Sequence, residues 1–225
     1  GITVNDKTYD GNTNASILST ASPVFKGLLG ADSLSVGGTL TATFSDKNAG
    51  TNKTVTISGL ELAGPSSSNY TLTNTTSIAL ANVNRLTLAV SGLGVSDKVY
   101  DASTLATITG TASFDKAVSG DVVSIDTSVL SASFVSKDAS TSRAATISGL
   151  TLVGADANNY TLGASSLSVS AAIARKTLTI TGTKALDKTY DGSTTANFTV
   201  GTVTGFIGTE SVTVSASGDF SSKDA

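Results

Sequence analysis

Two carboxylates four positions apart occur three times in this chain: Asp6 and Asp10, Asp97 and Asp101, Asp187 and Asp191. Paired hard oxygens are what a calcium ion takes, but calcium needs several carboxylate and carbonyl oxygens around it. The spacing is not that of an EF-hand loop. Turn chemistry accounts for the same residues more simply. In Asp10-Gly11 and Asp191-Gly192 the aspartate folds back on its own backbone and the glycine accepts positive φ. The neighbouring tyrosine is expected to pack its ring under the turn with its hydroxyl at the rim. A second pattern is lysine beside an amide or acid: Lys47-Asn48, Lys137-Asp138 and Lys223-Asp224, with Lys7, Lys98 and Lys188 recurring as well. Such pairs could condense to isopeptide crosslinks if the lysine were desolvated, its pKa lowered, and a buried acid placed beside it. Glu61 corresponds to Thr151 in the next repeat, so no glutamate recurs and Asp would have to serve. Surface lysines paired with Asp are the plainer expectation.

Conventional catalysis has little to work with. There is no His, Cys, Met, Trp or Gln, and Glu occurs only at Glu61 and Glu210. Absence of Cys removes disulfides, thiolate metal sites and cysteine nucleophiles. No glycine loop sits beside a helix to cradle phosphate. The expectation is no enzyme activity and no catalytic, metal or cofactor residues. The sequons at Asn14, Asn52, Asn69, Asn74, Asn159 and Asn197 are expected by chance in a chain so rich in Ser and Thr.

The positions of these residues are set by a repeat. DKTYDG at Asp6 to Gly11 returns as DKVYDA at Asp97 to Ala102 and as DKTYDG at Asp187 to Gly192, so Tyr9, Tyr100 and Tyr190 lie 91 and 90 residues apart. TISGL at Thr56 to Leu60 matches Thr146 to Leu150, and NYTL at Asn69 to Leu72 matches Asn159 to Leu162. The stretch Phe44 to Ala49 matches Phe134 to Ala139 and Phe220 to Ala225. A fixed period of this length means one structural unit copied in tandem. The divisions expected are 1–84 (a first repeat lacking its opening strand), 85–174 (complete) and 175–225 (a third repeat stopping about halfway). On that spacing the chain is expected to be a window in a longer array. A unit of roughly 90 residues can bury a modest core unaided.

Within each unit apolar residues alternate with Thr and Ser over short runs: Leu40, Ala42 and Phe44; Leu130, Ala132 and Phe134; Val55 and Ile57; Leu86, Leu88 and Val90; Leu167, Val169, Ala171 and Ile173. Period two with Thr, Val and Ile is the half-buried strand pattern. The predicted class is all-β, as tandem sandwich-like domains of roughly 90 residues in an extended rod. At most one short helical turn per unit is predicted, the best candidate being Pro23 to Asp32. Ile78 and Leu80 fall one residue out of phase with Leu167 and Val169, which predicts a bulge or altered register there. Junctions such as Asn84-Arg85 and Ala174-Arg175-Lys176 hold no linker, so one unit is expected to run directly into the next.

This ordered set of motifs, DK-[TV]-YDG, then F-x-x-K-[DN]-A, TISGL and NYTL, resembles the YDG-type repeats of large bacterial surface adhesins, the filamentous-haemagglutinin-like proteins exported by two-partner secretion. The resemblance covers essentially the whole chain, and Asp101-Ala102 departs from YDG. It implies a structural stalk in an exported, cell-surface or biofilm-associated protein, and assigns no catalytic or binding residue.

Composition agrees with that implication. Charged residues are 14% of the chain, net charge is −3 and pI about 4.8. Nucleic acid needs a basic surface and is therefore not expected as a partner. No apolar run is long enough to span a bilayer, so no membrane insertion is expected in this segment. The expected partners are neighbouring repeats of the same chain, with extracellular polysaccharide or like chains as further candidates. The expected location is secreted, at the bacterial surface or in the extracellular matrix. Polysaccharide-binding repeats acting by multivalency form the alternative function.

Overall fold

A computed structural model describes residues 1–20 and 24–224. As the alternating pattern predicts, the fold is nearly all β. Among the described residues helical structure is confined to single 3-10 turns at Ser67–Asn69, Thr127–Val129 and Ala157–Asn159. No helical turn forms over Val24 to Asp32, where one was expected. Pro23 lies outside the described residues. That segment carries two closely spaced glycines at positive φ, Gly27 and Gly30, and left-handed backbone interrupts a helix.

Two compact units form, and each draws on three stretches of chain. Unit one gathers Gly1–Leu93, Gly110–Leu130 and Ser148–Leu167. Unit two gathers Gly94–Thr109, Ser131–Ile147 and the chain from Ser168 onward. The compact units are therefore out of step with the sequence period. Unit one holds the whole of the first repeat together with much of the second.

The centre of unit one is a five-stranded sheet in the order Lys7–Thr8, Thr76–Asn84, Gly50–Ser58, Thr41–Phe44, Asn14–Ala15. Neighbours are antiparallel except Lys7–Thr8, which runs parallel to Thr76–Asn84. Inward-facing Ala42, Phe44, Val55, Ile57, Ala81 and Val83 are buried, and Thr41, Thr43, Thr54 and Thr56 between them are exposed. This is the half-buried sheet the pattern predicts.

The irregularity anticipated at Ile78 and Leu80 is elsewhere. The strand Thr76–Asn84 keeps Ala79, Ala81 and Val83 inward. Ile78 and Leu80 lie on the outer face, 71% and 60% exposed. The register shift falls in the partner strand, between Gly50 and Lys53. A one-residue slip would have turned Ala81 and Val83 outward too, so two exposed apolar side chains are the smaller cost.

Onto the inner face of this sheet pack side chains from the second repeat. Leu88 and Tyr160 belong to the same buried cluster as Val4, Tyr9, Phe44, Val55 and Ile57, with Phe114, Val118, Val123 and Leu152 partly buried against it. The strand Leu86–Leu88 reaches this position by pairing in parallel with Tyr160–Leu162. Full burial of a large apolar side chain stabilises a fold by about 1.5–3 kcal/mol, and Leu88 is wholly buried. The core of unit one is thus shared between successive repeats.

Unit two contains the counterpart sheet, in the order Lys98–Val99, Ser166–Ala174, Ser140–Ser148, Ser131–Phe134. Phe134, Ala145, Ala171 and Ile173 form its buried cluster. Two-stranded pairs complete it: Thr179–Thr181 with Thr202–Thr204, Lys184–Ala185 with Phe198–Thr199, and Thr195–Ala196 with Gly218–Asp219.

Candidate functional site: the junction between repeats

The DKxYDG motif is a self-contained turn. Its first aspartate leaves the turn to bond a neighbouring strand. Asp6 accepts from the backbone N of Asn82 at 2.7 Å and from its Nδ2 at 2.8 Å, and Asp97 accepts from Ala172 N at 2.6 Å. The lysine closes on the second aspartate. The pairs are Lys7 to Asp10 at 2.7 Å, Lys98 to Asp101 at 2.8 Å and Lys188 to Asp191 at 2.8 Å. The same ammonium groups sit 5.5–5.8 Å above the rings of Phe44, Phe134 and Phe220, at cation–π distance. The second aspartate also takes a backbone N–H two residues on, from Asn12, Ser103 and Ser193 respectively. Lys98 and the Ser103 N–H hold the Asp101 carboxyl down at about 2, and Lys188 and Ser193 do the same at Asp191. The carboxylates weighed as calcium ligands are thus directed to separate partners. Among the described residues no group of three or more acidic side chains gathers for a metal.

The remaining member of the motif faces the next repeat. Tyr9 is 1% exposed. Its hydroxyl donates to Oδ2 of Asp121 at 2.7 Å, and Tyr160 donates to the same oxygen at 2.6 Å. Lys47 donates to Oδ1 at 3.1 Å, with its ammonium 5.9 Å from the Tyr9 ring centroid. The two tyrosine rings meet edge to face, centroids 5.4 Å apart at 78°. Val118 N donates to the Tyr160 hydroxyl at 3.0 Å. Beside them Asn159, 4% exposed, accepts from Ala49 N at 2.9 Å and donates to Asn48 Oδ1 at 3.3 Å.

Three motifs of the resemblance, DKTYDG, FSDKNA and NYTL, therefore converge on one place. The first two come from one repeat and the third from the next. The fourth, TISGL, supplies the buried Ile57 of the sheet beneath.

Asp121 is the residue that the sequence analysis missed. The signal is a recurring acid: Asp32, Asp121 and Glu210 lie 89 residues apart in succession, and the switch to Glu in the third copy hides the recurrence. Each acid meets tyrosine. Asp32 accepts from the Tyr70 hydroxyl at 2.5 Å, and Leu29 N donates to that hydroxyl at 3.1 Å, as Val118 does to Tyr160. Glu210 accepts from the Tyr100 hydroxyl and lies 3.6 Å from Lys137 Nζ. In unit two, Tyr100, Lys137 and Glu210 thus repeat the arrangement of Tyr9, Lys47 and Asp121.

The electrostatics disfavour condensation at the Lys47–Asp121 pair. Burial pushes the Asp121 carboxyl up, but the hydrogen bonds of Tyr160, Tyr9 and Lys47 outweigh it and leave the group below its ordinary value. The Tyr9 hydroxyl and Asp121 raise the Lys47 ammonium above its own. An isopeptide needs a neutral amine and a protonated acid, the opposite pair of states. The lysine is paired with an acid, as expected, but the acid belongs to the following repeat.

The phenols predict an alkaline limb. Burial and the hydrogen bond to Asp121 raise Tyr160 to about 12 and raise Tyr9 above 10.0. A group whose folded pKa lies above its unfolded one stabilises the fold below the unfolded value, and this is lost as pH rises through the folded one. Unit one is therefore expected to lose stability between about pH 10 and 12. Tyr160→Phe is expected to flatten that limb when melting temperature is followed against pH.

Gly11 is required twice over. Its φ is +79°, and a Cβ placed there would lie 2.7 Å from Cγ1 of Val118. At the equivalent place Ala102 holds φ +61°, so the turn tolerates a Cβ where the neighbour leaves room. Gly11→Ala is expected to destabilise unit one by about 2 kcal/mol, from left-handed strain plus the clash. Ala102→Gly is expected to be neutral or mildly stabilising. Urea midpoints of the two variants check this.

These features define a class: an all-β tandem-repeat protein whose repeats are joined by a shared core and a buried polar cluster. The chain belongs to the YDG domain family, whose model matches it three times, over residues 1–78, 84–168 and 174–225. No curated protein and no solved structure matches it.

Proposed function

We propose that the chain is a structural spacer in a secreted bacterial adhesin of the cell surface or biofilm matrix, with no enzymatic role. One observation carries this reading: in unit one the junction is built from motifs of two successive repeats, so these neighbours are locked by a common core as well as by the covalent chain. A short, buried, hydrogen-bonded joint resists bending, and strands pass load through many backbone hydrogen bonds. The array would then hold a binding tip away from a surface or tether cells to matrix. No helix among the described residues is long and apolar enough to cross a membrane.

The outer sheet faces support this reading over multivalent polysaccharide binding. Thr54, Ile78 and Leu80 of the first repeat become Ala144, Ser168 and Ser170 in the second, while Thr41 and Thr43 become Ser131 and Ser133 and Thr56 remains threonine as Thr146. Avidity from tandem copies requires the same binding face in each copy, and here the apolar pair Ile78 and Leu80 on that face is not kept. Small-angle scattering on the whole chain tests the proposal. An extended profile, unchanged by added polysaccharide, is expected. A compact profile, or one that shifts on adding polysaccharide, would contradict it.

A further inference from the structure

Tyr9 and Tyr160 are separated by 151 positions in sequence, yet both hydroxyls end on one oxygen of Asp121. Their phenolic oxygens are thus no farther apart than the sum of two short hydrogen bonds. The rings approach at 5.4 Å between centroids, one edge toward the other's face, and both side chains are at least 98% buried. The chain has no cysteine, and the Lys47–Asp121 pair is charged in the wrong sense for an amide. A disulfide between repeats is therefore closed, and an amide at that pair is disfavoured.

We propose that Tyr9 and Tyr160 form a site of oxidative tyrosine–tyrosine crosslinking that staples one repeat to the next. The reaction rests on the junction geometry and not on the spacer function. Each phenol gives up one electron to a peroxide-driven one-electron oxidant, such as a haem peroxidase. Its proton passes along the existing hydrogen bond to Asp121 and on to solvent. The two phenoxyl radicals join through their ortho carbons in a new carbon–carbon bond. The hydrogens displaced from those carbons return to the oxygens, which restores both phenols. In total two electrons and two protons leave the protein, and one hydrogen peroxide takes them up to become two waters. Burial favours pairing within the junction, because a radical formed there meets its partner ring and not another chain. The oxidant needs no contact with either ring, since the Lys47 ammonium lies 5.9 Å from the Tyr9 ring centroid and the side chain is 41% exposed.

The test uses the whole chain at low concentration, with a photo-excited ruthenium tris-bipyridyl complex as one-electron oxidant and persulfate as the final electron acceptor. The expected product is a monomer lighter by two hydrogens with dityrosine fluorescence. Its tryptic digest joins the peptide 8–26, which carries Tyr9, to the peptide 144–175, which carries Tyr160. Tyr9→Phe or Tyr160→Phe is expected to remove that joined peptide, and Tyr190→Phe is expected to leave it. The proposal fails if the folded wild-type chain gives no such peptide. It also fails if dityrosine arises only between chains, or links Tyr100 or Tyr190 in preference.

Discussion

Asp121→Ala is expected to destabilise unit one by about 3 kcal/mol, a cost set by what the carboxylate leaves behind. Its side chain is 4% exposed, and it satisfies two buried phenols and one lysine. Removing one member of a buried hydrogen-bonded charge cluster strands the others, which costs several kcal/mol, whereas an exposed ion pair is worth well under one. For a unit of this size the melting midpoint should fall by roughly 6–12 °C. Asp138→Ala is the control. Asp138 is exposed and, among the described residues, its side chain accepts only from Ser136 within its own turn, so little change is expected. The acid limb should change as well. Because the folded Asp121 is more acidic than an unfolded aspartate, its stabilisation is present above about pH 4 and is lost as pH falls through its folded value. Asp121→Ala should lack that part of the acid transition. Calorimetry from pH 2 to 7 checks both.

Tyr160→Ala is expected to cost more, about 4 kcal/mol, because it removes packing and hydrogen bonding together. Its ring is 2% exposed within the shared core. Truncating a buried aromatic costs about 3–5 kcal/mol, and the loss leaves the N–H of Val118 without the phenol oxygen that accepts it. Tyr160→Phe separates the two contributions. It keeps the ring and should cost about 1–2 kcal/mol for the hydroxyl alone. Tyr190→Ala, at a tyrosine of the same motif that is 62% exposed, should be nearly silent. Denaturant titrations of the three variants give the comparison directly.

The fold class was legible because most sheet residues obey a two-residue period. Val55, Ile57, Ala145 and Ile147 lie on the buried faces their alternation demands. The turn in DKTYDG was equally legible, since Asp and Gly carry their turn chemistry locally. Burial of the Tyr9 ring could be anticipated, but its hydroxyl, expected at the rim, is instead buried against a partner the sequence did not point to. Asp121 is 112 residues away and lies in a loop with no local signature. Its recurrence as Asp32, Asp121 and Glu210 shows only when aspartate and glutamate are treated as one charge. The sequence period also says nothing of which halves of the repeats share a core. That is fixed by where Leu88 and Tyr160 find an apolar face, a matter of packing and not of pattern. Ile78 and Leu80 misled for the same reason: apolar residues on an outer face mimic a register change.

Native-state hydrogen exchange on the intact chain tests this coupling most directly. The amides of Gly50–Ser58 and Thr76–Asn84 from the first repeat, and of Leu86–Leu88 and Tyr160–Leu162 from the second, should open in one cooperative event with a common free energy. Asp121→Ala should lower all four segments together. If Tyr160–Leu162 instead exchanged in step with Ser140–Ile147 of its own repeat, and Asp121→Ala left Gly50–Ser58 unchanged, the shared-core account would be contradicted.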